Sequence, residues 1–205
     1  MNFNTLATNE SADKAATALR NNHFEPIRVD TKEEALEKVK ELIPEGVSIM
    51  NGASETLREI GYTDLLKNKD HKWNNLHDLV FAETDAAKQT ELRKRSVLSD
   101  FYVGSAHAVT ETGEIVFASN TGSQLPHLAF TSQNIVLVVS TAKIVPTLPD
   151  AFRRINEYIV PLEDVRMKGV YGYGTQHNKT LILHGENPAL GRKVYIILVN
   201  EKLGF

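Results

Sequence analysis

Hydrophobic residues follow two different periods along the chain. Between Ala35 and Ile43 they recur every three or four positions, which predicts an amphipathic helix. Thr31 and Glu34 form a capping-box pattern ahead of that helix. Residues 135–139 are instead an unbroken run of β-branched and leucine residues, which is typical of a strand buried on both faces.

Shorter patterns predict the remaining elements. Apolar runs predict strands at 27–29, 47–50, 101–103, 181–183 and 195–199. Residues 107–111 and 115–118 flank Thr112-Gly113-Glu114 and predict a hairpin. Helices are predicted at 6–21, 57–60 and 79–95, and after Thr147, and residues 63–69 are predicted to be a short helix or a turn.

Strands therefore alternate with helices early and late in the chain, with a hairpin between. This order predicts an α/β protein built as a three-layer domain around a mixed, mostly parallel sheet. We expect an N-terminal helical segment at residues 1–24 and a single domain at 25–205.

Composition narrows the class of protein. The 205 residues are 41% hydrophobic and 24% charged, which is typical of a folded globular domain. The net charge is −3, so the basic excess of a nucleic-acid-binding domain is missing and we expect no nucleic-acid partner. No run approaches the roughly 18 apolar residues of a membrane span. The polar first ten residues hold no apolar signal core, so we expect a cytoplasmic protein without membrane association.

The sequence contains no cysteine. Cysteine-ligated iron–sulfur clusters, cysteine nucleophiles and thiolate metal sites are therefore excluded within these 205 residues. The seven histidines form no metal-binding motif, so we predict no metal site and leave the cofactor unassigned.

The first candidate site is the turn Asn51-Gly52-Ala53-Ser54. It leaves a predicted strand and opens a predicted helix, where free backbone N–H groups attract anions and small residues allow close approach. Asn51, Gly52 and Ser54 are the candidate ligand-binding residues. An ordinary helix N-cap at Ser54 is the alternative and the commoner use of such a serine.

Two further small, polar turns lie at the ends of predicted strands. They are Gly104-Ser105 and Asn120-Thr121-Gly122-Ser123. Ligands of open α/β sheets bind beyond the carboxyl ends of the strands, so we expect both turns to share one cleft with Asn51. Plain turn chemistry is the alternative, since glycine, serine and asparagine dominate turns.

The hairpin turn carries a third candidate, Glu111, between Thr110 and Thr112. A carboxylate at a strand end can act as a nucleophile or general base, and the two threonines could bind a small anionic ligand beside it. A solvated glutamate next to a turn is the alternative. We expect Glu111 to border the cleft.

The stretch DFYVGSAHAVTETGEIVFASNTGSQ, followed by NIVLVVSTAKIVPTLPDAF, resembles the LUD-domain family, which includes LutC (YkgG-like) lactate-utilisation proteins. NGASETLREIGYTDLL and GRKVYIILVNEKLGF are similar to its flanking motifs, so the resemblance covers roughly residues 25–205. It implies a Rossmann-like sandwich of the NagB/RpiA/CoA-transferase-like fold. That fold group includes CoA transferases with a glutamate nucleophile, which is a second reason to single out Glu111. Some relatives add a cysteine-rich ferredoxin-like part; this chain resembles the stand-alone form.

Three functions follow from the resemblance. The first is a LutC-like accessory or ligand-binding subunit in the oxidation of L-lactate to pyruvate, acting with iron–sulfur partner proteins. The second is an enzyme acting on a small phosphorylated, carboxylated or CoA-linked substrate, and the third a regulatory or assembly protein without catalysis. The sequence leaves catalysis open, and a homo-oligomer is compatible with it.

Overall fold

A six-stranded, fully parallel sheet forms the centre of the protein. The computed structural model describes residues 2–205 without the side chain of Tyr171, so the first residue of the predicted segment 1–24 lies outside it. The strands are, in spatial order, β1 (Glu25–Val29), β10 (Lys193–Val199), β7 (Asn134–Ser140), β4 (Phe101–Gly104), β2 (Ser48–Asn51) and β3 (Asn74–Asn75).

Strand β7 has no face in contact with water. Every residue from 135 to 139 is 0% exposed, as the unbroken apolar run predicts. Ile135, Leu137 and Val139 point into one core, while Val136 and Val138 point into another. Both faces of the sheet must therefore be covered by other elements of the chain.

Helices cover one of these faces. They are α2 (Lys32–Leu42), α3 (Glu55–Glu59) and α4 (Tyr62–Lys67), whose apolar residues pack on Val136 and Val138. The predicted capping box of α2 is confirmed: Thr31 Oγ1 accepts the Glu34 N–H, and the Glu34 carboxylate accepts the Thr31 N–H.

A second sheet and α1 (Asn9–Asn21) cover the other face. This sheet contains β8 (Ile144–Val145), β5 (Ala108–Thr110), β6 (Ile115–Ser119) and β9 (Lys179–Leu183), in that spatial order. Its outer face packs on α7 (Leu148–Arg154) and on the π-helical turn Ile155–Ile159, which leads into α8 (Val160–Tyr171).

The predicted α/β class is confirmed, but the hairpin does not join the parallel sheet. The β5–β6 pair is antiparallel and lies in the second sheet, alongside β8 and β9. The burial pattern explains this, because Phe117 and Ile115 pack towards the parallel sheet while Val116 packs towards α7. A hairpin that is apolar on both faces fits between two layers.

The helix predicted at 79–95 is two helices, α5 (Leu76–Ala82) and α6 (Ala86–Arg95). The break occurs because the Asp85 carboxylate accepts the N–H groups of Ala87 and Lys88, each at 2.9 Å, and so starts a new helix. Among the described residues, no helix is long and apolar enough to cross a membrane.

The single tryptophan, Trp73, lies beside the start of edge strand β3. Its indole N–H donates to the Ile43 carbonyl at 3.1 Å, and its ring stacks on His71 with centroids 5.2 Å apart. The side chain packs against the helical face of the parallel sheet.

The central position of β7 predicts a large penalty for a cavity there. Leu137→Ala should lower the free energy of unfolding by about 2–5 kcal/mol, because Leu137 is fully buried. Leu98→Ala is the matched control; Leu98 is 73% exposed and its loss should change stability by less than about 0.5 kcal/mol. Urea unfolding measures both, and equal losses would contradict the assignment of β7 as the core strand.

Candidate anion-binding site

The carboxyl ends of β2, β4 and β7 lie next to one another, because the three strands are parallel neighbours. A short polar segment follows each strand. The segments are Asn51–Ser54, Gly104-Ser105 and the 3₁₀ turn Thr141–Lys143. This edge is where open α/β sheets hold their ligands.

Lys143 is the central side chain at this edge. Only 3% of the residue is exposed, and its Nζ donates to Thr56 Oγ1 at 2.8 Å and to Ser105 Oγ at 3.2 Å. Within residues 2–205, no carboxylate forms an ion pair with it. Burial, and to a lesser extent the positive charge of Arg154, lower the pKa of Lys143 to about 7, against an opposing effect of Glu59.

Arg154 is a second buried cation, with 1% of the residue exposed. Its Nη1 donates to the His107 carbonyl at 2.7 Å, and its guanidinium lies 5.4 Å from the centre of the Tyr158 ring. Its buried Nε has no hydrogen-bond partner among the described residues. Burial lowers the pKa of Arg154 to about 10, so the side chain keeps its charge at neutral pH.

His107 adds an uncharged donor to the same cluster. Its Nδ1 accepts the Ala118 N–H at 3.2 Å, so the neutral ring carries its proton on Nε2. Burial, followed by the charges of Lys143, Arg154 and His177, lowers the pKa of His107 to about 3. Two cations and a neutral donor, with the hydroxyls of Thr56 and Ser105, therefore form a cluster whose chemistry suits a small anion.

The segment Leu203-Gly204 crosses over Lys143. The Gly204 N–H donates to Glu59 Oε2 at 2.8 Å, and Thr56 Oγ1 donates to the Leu203 carbonyl at 3.4 Å. Gly204 has a φ of +58°, and a Cβ there would lie 2.4 Å from Thr56 Oγ1 and 3.2 Å from Lys143 Nζ. Glycine is therefore required by both the backbone conformation and the lack of space.

The first predicted turn lies close to this cluster. A Cβ on Gly52 would lie 2.9 Å from the Tyr102 hydroxyl oxygen and 3.7 Å from Gln124 Oε1, so the turn packs closely against both side chains. Asn51 Oδ1 is buried without a hydrogen-bond partner among the described residues. Ser54 Oγ accepts the Leu57 N–H at 3.3 Å as the N-cap of α3, which is only five residues long.

The two other predicted turns share this end of the molecule. Ser105 contacts Lys143 directly, whereas a Cβ on Gly104 would lie 2.9 Å from the Tyr102 ring. The segment 120–123 follows β6, which runs antiparallel to β5 and so ends near Ser105.

The polar groups of 120–123 are used within their own turn and its neighbours. The Gly122 N–H donates to Ser119 Oγ at 2.9 Å, and Thr121 Oγ1 donates to Ser123 Oγ at 3.3 Å. Asn120 Oδ1 accepts from Asn178 Nδ2 at 2.7 Å. Hydrogen bonds within the turn and to its neighbours therefore account for the polar groups of residues 120–123.

Glu111 lies at the other end of β5 from Ser105. Its N–H donates to the Val145 carbonyl at 2.9 Å, and its side chain lines an open groove with Lys14 of α1. The hydroxyls of Thr110 and Thr112 both donate to the Glu114 carboxylate. The structure thus does not bring residues 110–112 to Lys143.

Sequence reasoning missed Lys143, Arg154 and Thr56. Lys143 had a detectable signal, because a lysine in the short turn after a fully buried strand lies at the carboxyl edge. The sequence signal for Arg154 is weaker: Arg154 follows Ala151 by three positions and so lies on the buried face of the same helix. Thr56 becomes a site residue only through its contact with a residue 87 positions away.

Among the described residues, no group of three or more histidine, aspartate or glutamate side chains could hold a metal ion. The cluster at the carboxyl edge is instead built from cations and hydroxyl groups.

The fold places the chain among open α/β proteins with a parallel sheet. The family model described as the LUD domain matches residues 12–198, and the chain belongs to that family, as its sequence motifs predict. The family is associated with lactate utilisation. A comparison with curated proteins finds no match.

Solved structures show similarity in fold at low sequence identity. A DUF162 family protein from Deinococcus radiodurans matches with a TM-score of 0.57 and 14% identity, covering 96% of this chain and 100% of that chain. Ribose 5-phosphate isomerase A from Methanocaldococcus jannaschii matches with a TM-score of 0.40 and 13% identity, covering 83% of this chain and 94% of that chain.

The crossing of Gly204 over Lys143 can be tested by adding a methyl group. Gly204→Ala should destabilise the protein more than Gly46→Ala, because both have positive φ but only Gly204 lacks space for a Cβ. The control should cost about 1–2 kcal/mol from its left-handed backbone alone. Thermal unfolding of both variants measures the difference, and equal losses would mean that Gly204 is not packed against Thr56.

Burial of Lys143 also predicts a pH dependence of stability. Its pKa is about 7 when folded and 10.5 in the reference state, so between these values the unfolded chain binds the extra proton. The contribution of Lys143 to the free energy of unfolding therefore rises as pH increases from about 7 towards 10. Lys143→Met should stabilise the protein relative to wild type most near pH 6–7, and progressively less at higher pH.

Urea unfolding of wild type and Lys143→Met across this range measures the effect. Lys67→Met is the matched control, because Lys67 is an exposed lysine on α4. The free energy of unfolding of Lys67→Met should change with pH in the same way as that of wild type. The same pH dependence in Lys143→Met and wild type would contradict the burial of an uncompensated amine.

Proposed function

We propose that this chain is a LutC-like ligand-binding subunit in the oxidation of L-lactate to pyruvate, acting beside iron–sulfur partner proteins. The observation that carries the proposal is the buried guanidinium of Arg154 together with the buried amine of Lys143, since neither group has a carboxylate partner within the described residues. Membership of the LUD-domain family, which is associated with lactate utilisation, supports the choice of pathway.

A bound carboxylate supplies what this cluster lacks. Burying a charge is costly unless it is paired and hydrogen-bonded, and neither cation has an anionic partner in the described chain. The free Nε–H of Arg154 offers a charge-assisted hydrogen bond to a carboxylate oxygen. The Nε2–H of His107 offers a neutral hydrogen bond to the hydroxyl of lactate or the carbonyl of pyruvate, and Ser105 Oγ offers a lone pair to the hydroxyl of lactate.

The amino-acid composition indicates which role in lactate oxidation belongs to this chain and which to its partners. Oxidation of lactate releases two electrons, and these 205 residues contain no thiolate to ligate an iron–sulfur cluster. In this proposal the chain binds and orients the small carboxylate, and the clusters that accept electrons belong to the partner proteins.

Ligand-dependent unfolding tests the proposal directly. L-lactate or pyruvate at 100 times its Kd should raise the free energy of unfolding by about 2.7 kcal/mol. Arg154→Gln should abolish the increase, because it removes the charge that holds the carboxylate. Arg153→Gln is the matched control on the same helix; Arg153 is half-exposed and paired with Asp150 and Glu157.

Ser105→Ala is a milder second variant in case Arg154→Gln unfolds, and it should weaken binding without removing it. Parallel samples with ribose 5-phosphate and CoA distinguish the enzyme alternative, which predicts stabilisation by those ligands instead. Failure of every ligand to stabilise the protein would favour the regulatory or assembly alternative. Equal loss of the lactate effect in Arg153→Gln would contradict the assigned site.

A further inference from the structure

We propose that Lys143 is a nucleophilic amine that forms an imine with the keto carbon of a 2-oxo carboxylate bound at the carboxyl edge. This inference rests on the proposed function and names the ligand chemistry of the same site. It assigns different tasks to the two buried basic side chains: Arg154 holds the carboxylate, and Lys143 reacts.

The hydrogen bonds around Lys143 suit a neutral amine. Thr56 Oγ1 donates its own proton to the Leu203 carbonyl, and Ser105 Oγ donates its proton to the Ala106 carbonyl. Both hydroxyls therefore accept from Lys143 rather than donate to it. A neutral amine has two N–H groups, which these two oxygens satisfy, and its lone pair stays free.

An ammonium group fits this arrangement less well. It would bring a third N–H into a buried place where no carboxylate pairs with it, and burial of an unpaired charge is costly. The lowered pKa of Lys143, about 7, agrees with this geometric argument. Desolvated lysines of this kind are the ones that form Schiff bases with carbonyl compounds.

The neighbours of Lys143 complete the requirements of the reaction. Arg154 keeps its charge at neutral pH and has an unpartnered Nε–H, so it can hold the carboxylate without taking part in the chemistry. His107 stays neutral and carries its proton on Nε2, which suits it to polarise a keto oxygen.

The reaction balances without a redox step. The lone pair of Lys143 Nζ attacks the keto carbon, and a C–N bond forms as the C=O double bond opens to a carbinolamine. The nitrogen loses its two protons and the carbinolamine oxygen leaves as water, which gives the C=N bond of the imine. Amine and ketone are converted to imine and water, and hydrolysis reverses the process.

The same chemistry separates pyruvate from lactate. Both carry the carboxylate that Arg154 would hold, but only pyruvate has an electrophilic keto carbon. Access to the amine requires movement of Leu203 and Gly204, which cross it in this structure. Lactate therefore binds reversibly and non-covalently, whereas pyruvate is retained through a reversible covalent bond.

Reductive trapping tests the inference on the full chain. Wild-type protein incubated with pyruvate and sodium cyanoborohydride should gain one pyruvate-derived adduct, which peptide mapping should place on Lys143. The same treatment with L-lactate should give no adduct, and L-lactate added with pyruvate should slow trapping. The trapping rate should rise with pH through about 7, as the folded amine loses its proton.

Two variants test whether Lys143 is the residue that forms the adduct. Lys143→Arg removes the nucleophilic amine, so the pyruvate-derived adduct should disappear. Lys67→Arg replaces an exposed lysine and should leave trapping unchanged. If Lys143→Arg does not fold, peptide mapping of the wild-type adduct still identifies the modified lysine.

The outcomes separate this inference from the proposed function. Stabilisation by pyruvate without an adduct, or an adduct spread over exposed lysines, would overturn the imine and leave carboxylate binding intact. Absence of both stabilisation and adduct would overturn both proposals.

Discussion

The structure depends on the complete burial of strand β7. A strand with five consecutive residues that never meet water needs protein on both faces, and the chain provides helices on one side and a second sheet on the other. Lys143 follows β7 by three residues, in a turn that Ser140 caps by accepting the Ala142 N–H. The amine of Lys143 is therefore buried because the strand that precedes it is buried.

Desolvation is the dominant electrostatic effect at the carboxyl edge. It is the largest influence on the pKa values of Lys143, Arg154 and His107, and it acts against the charged form of each. The opposing attraction of Glu59 for Lys143 is smaller, and the Glu59 carboxylate is already used by the Gly204 N–H. Within the described residues, this cluster therefore combines strong desolvation with the lack of a carboxylate partner.

Local patterns were sufficient to predict most elements but only part of the site. The unbroken run of β7 and the capping box at Thr31 involve neighbours in sequence, so the sequence identifies them. Ser105 is the one predicted residue that touches Lys143, because the rule about carboxyl ends of strands applies to it. Glu111 was selected from its turn and from the resemblance, and the residue that accepts its N–H, Val145, is distant in sequence. Arg154 becomes part of the cluster only when α7 packs on β5, which no local pattern encodes.

The position of Trp73 determines what tryptophan fluorescence can report. The indole lies just before β3, at the amino-terminal edge of the parallel sheet, whereas Lys143 follows the opposite, carboxyl-terminal edge. Its stacking on His71 and its hydrogen bond to Ile43 exist only while the helical layer is packed. Emission from this single tryptophan consequently follows the integrity of that layer.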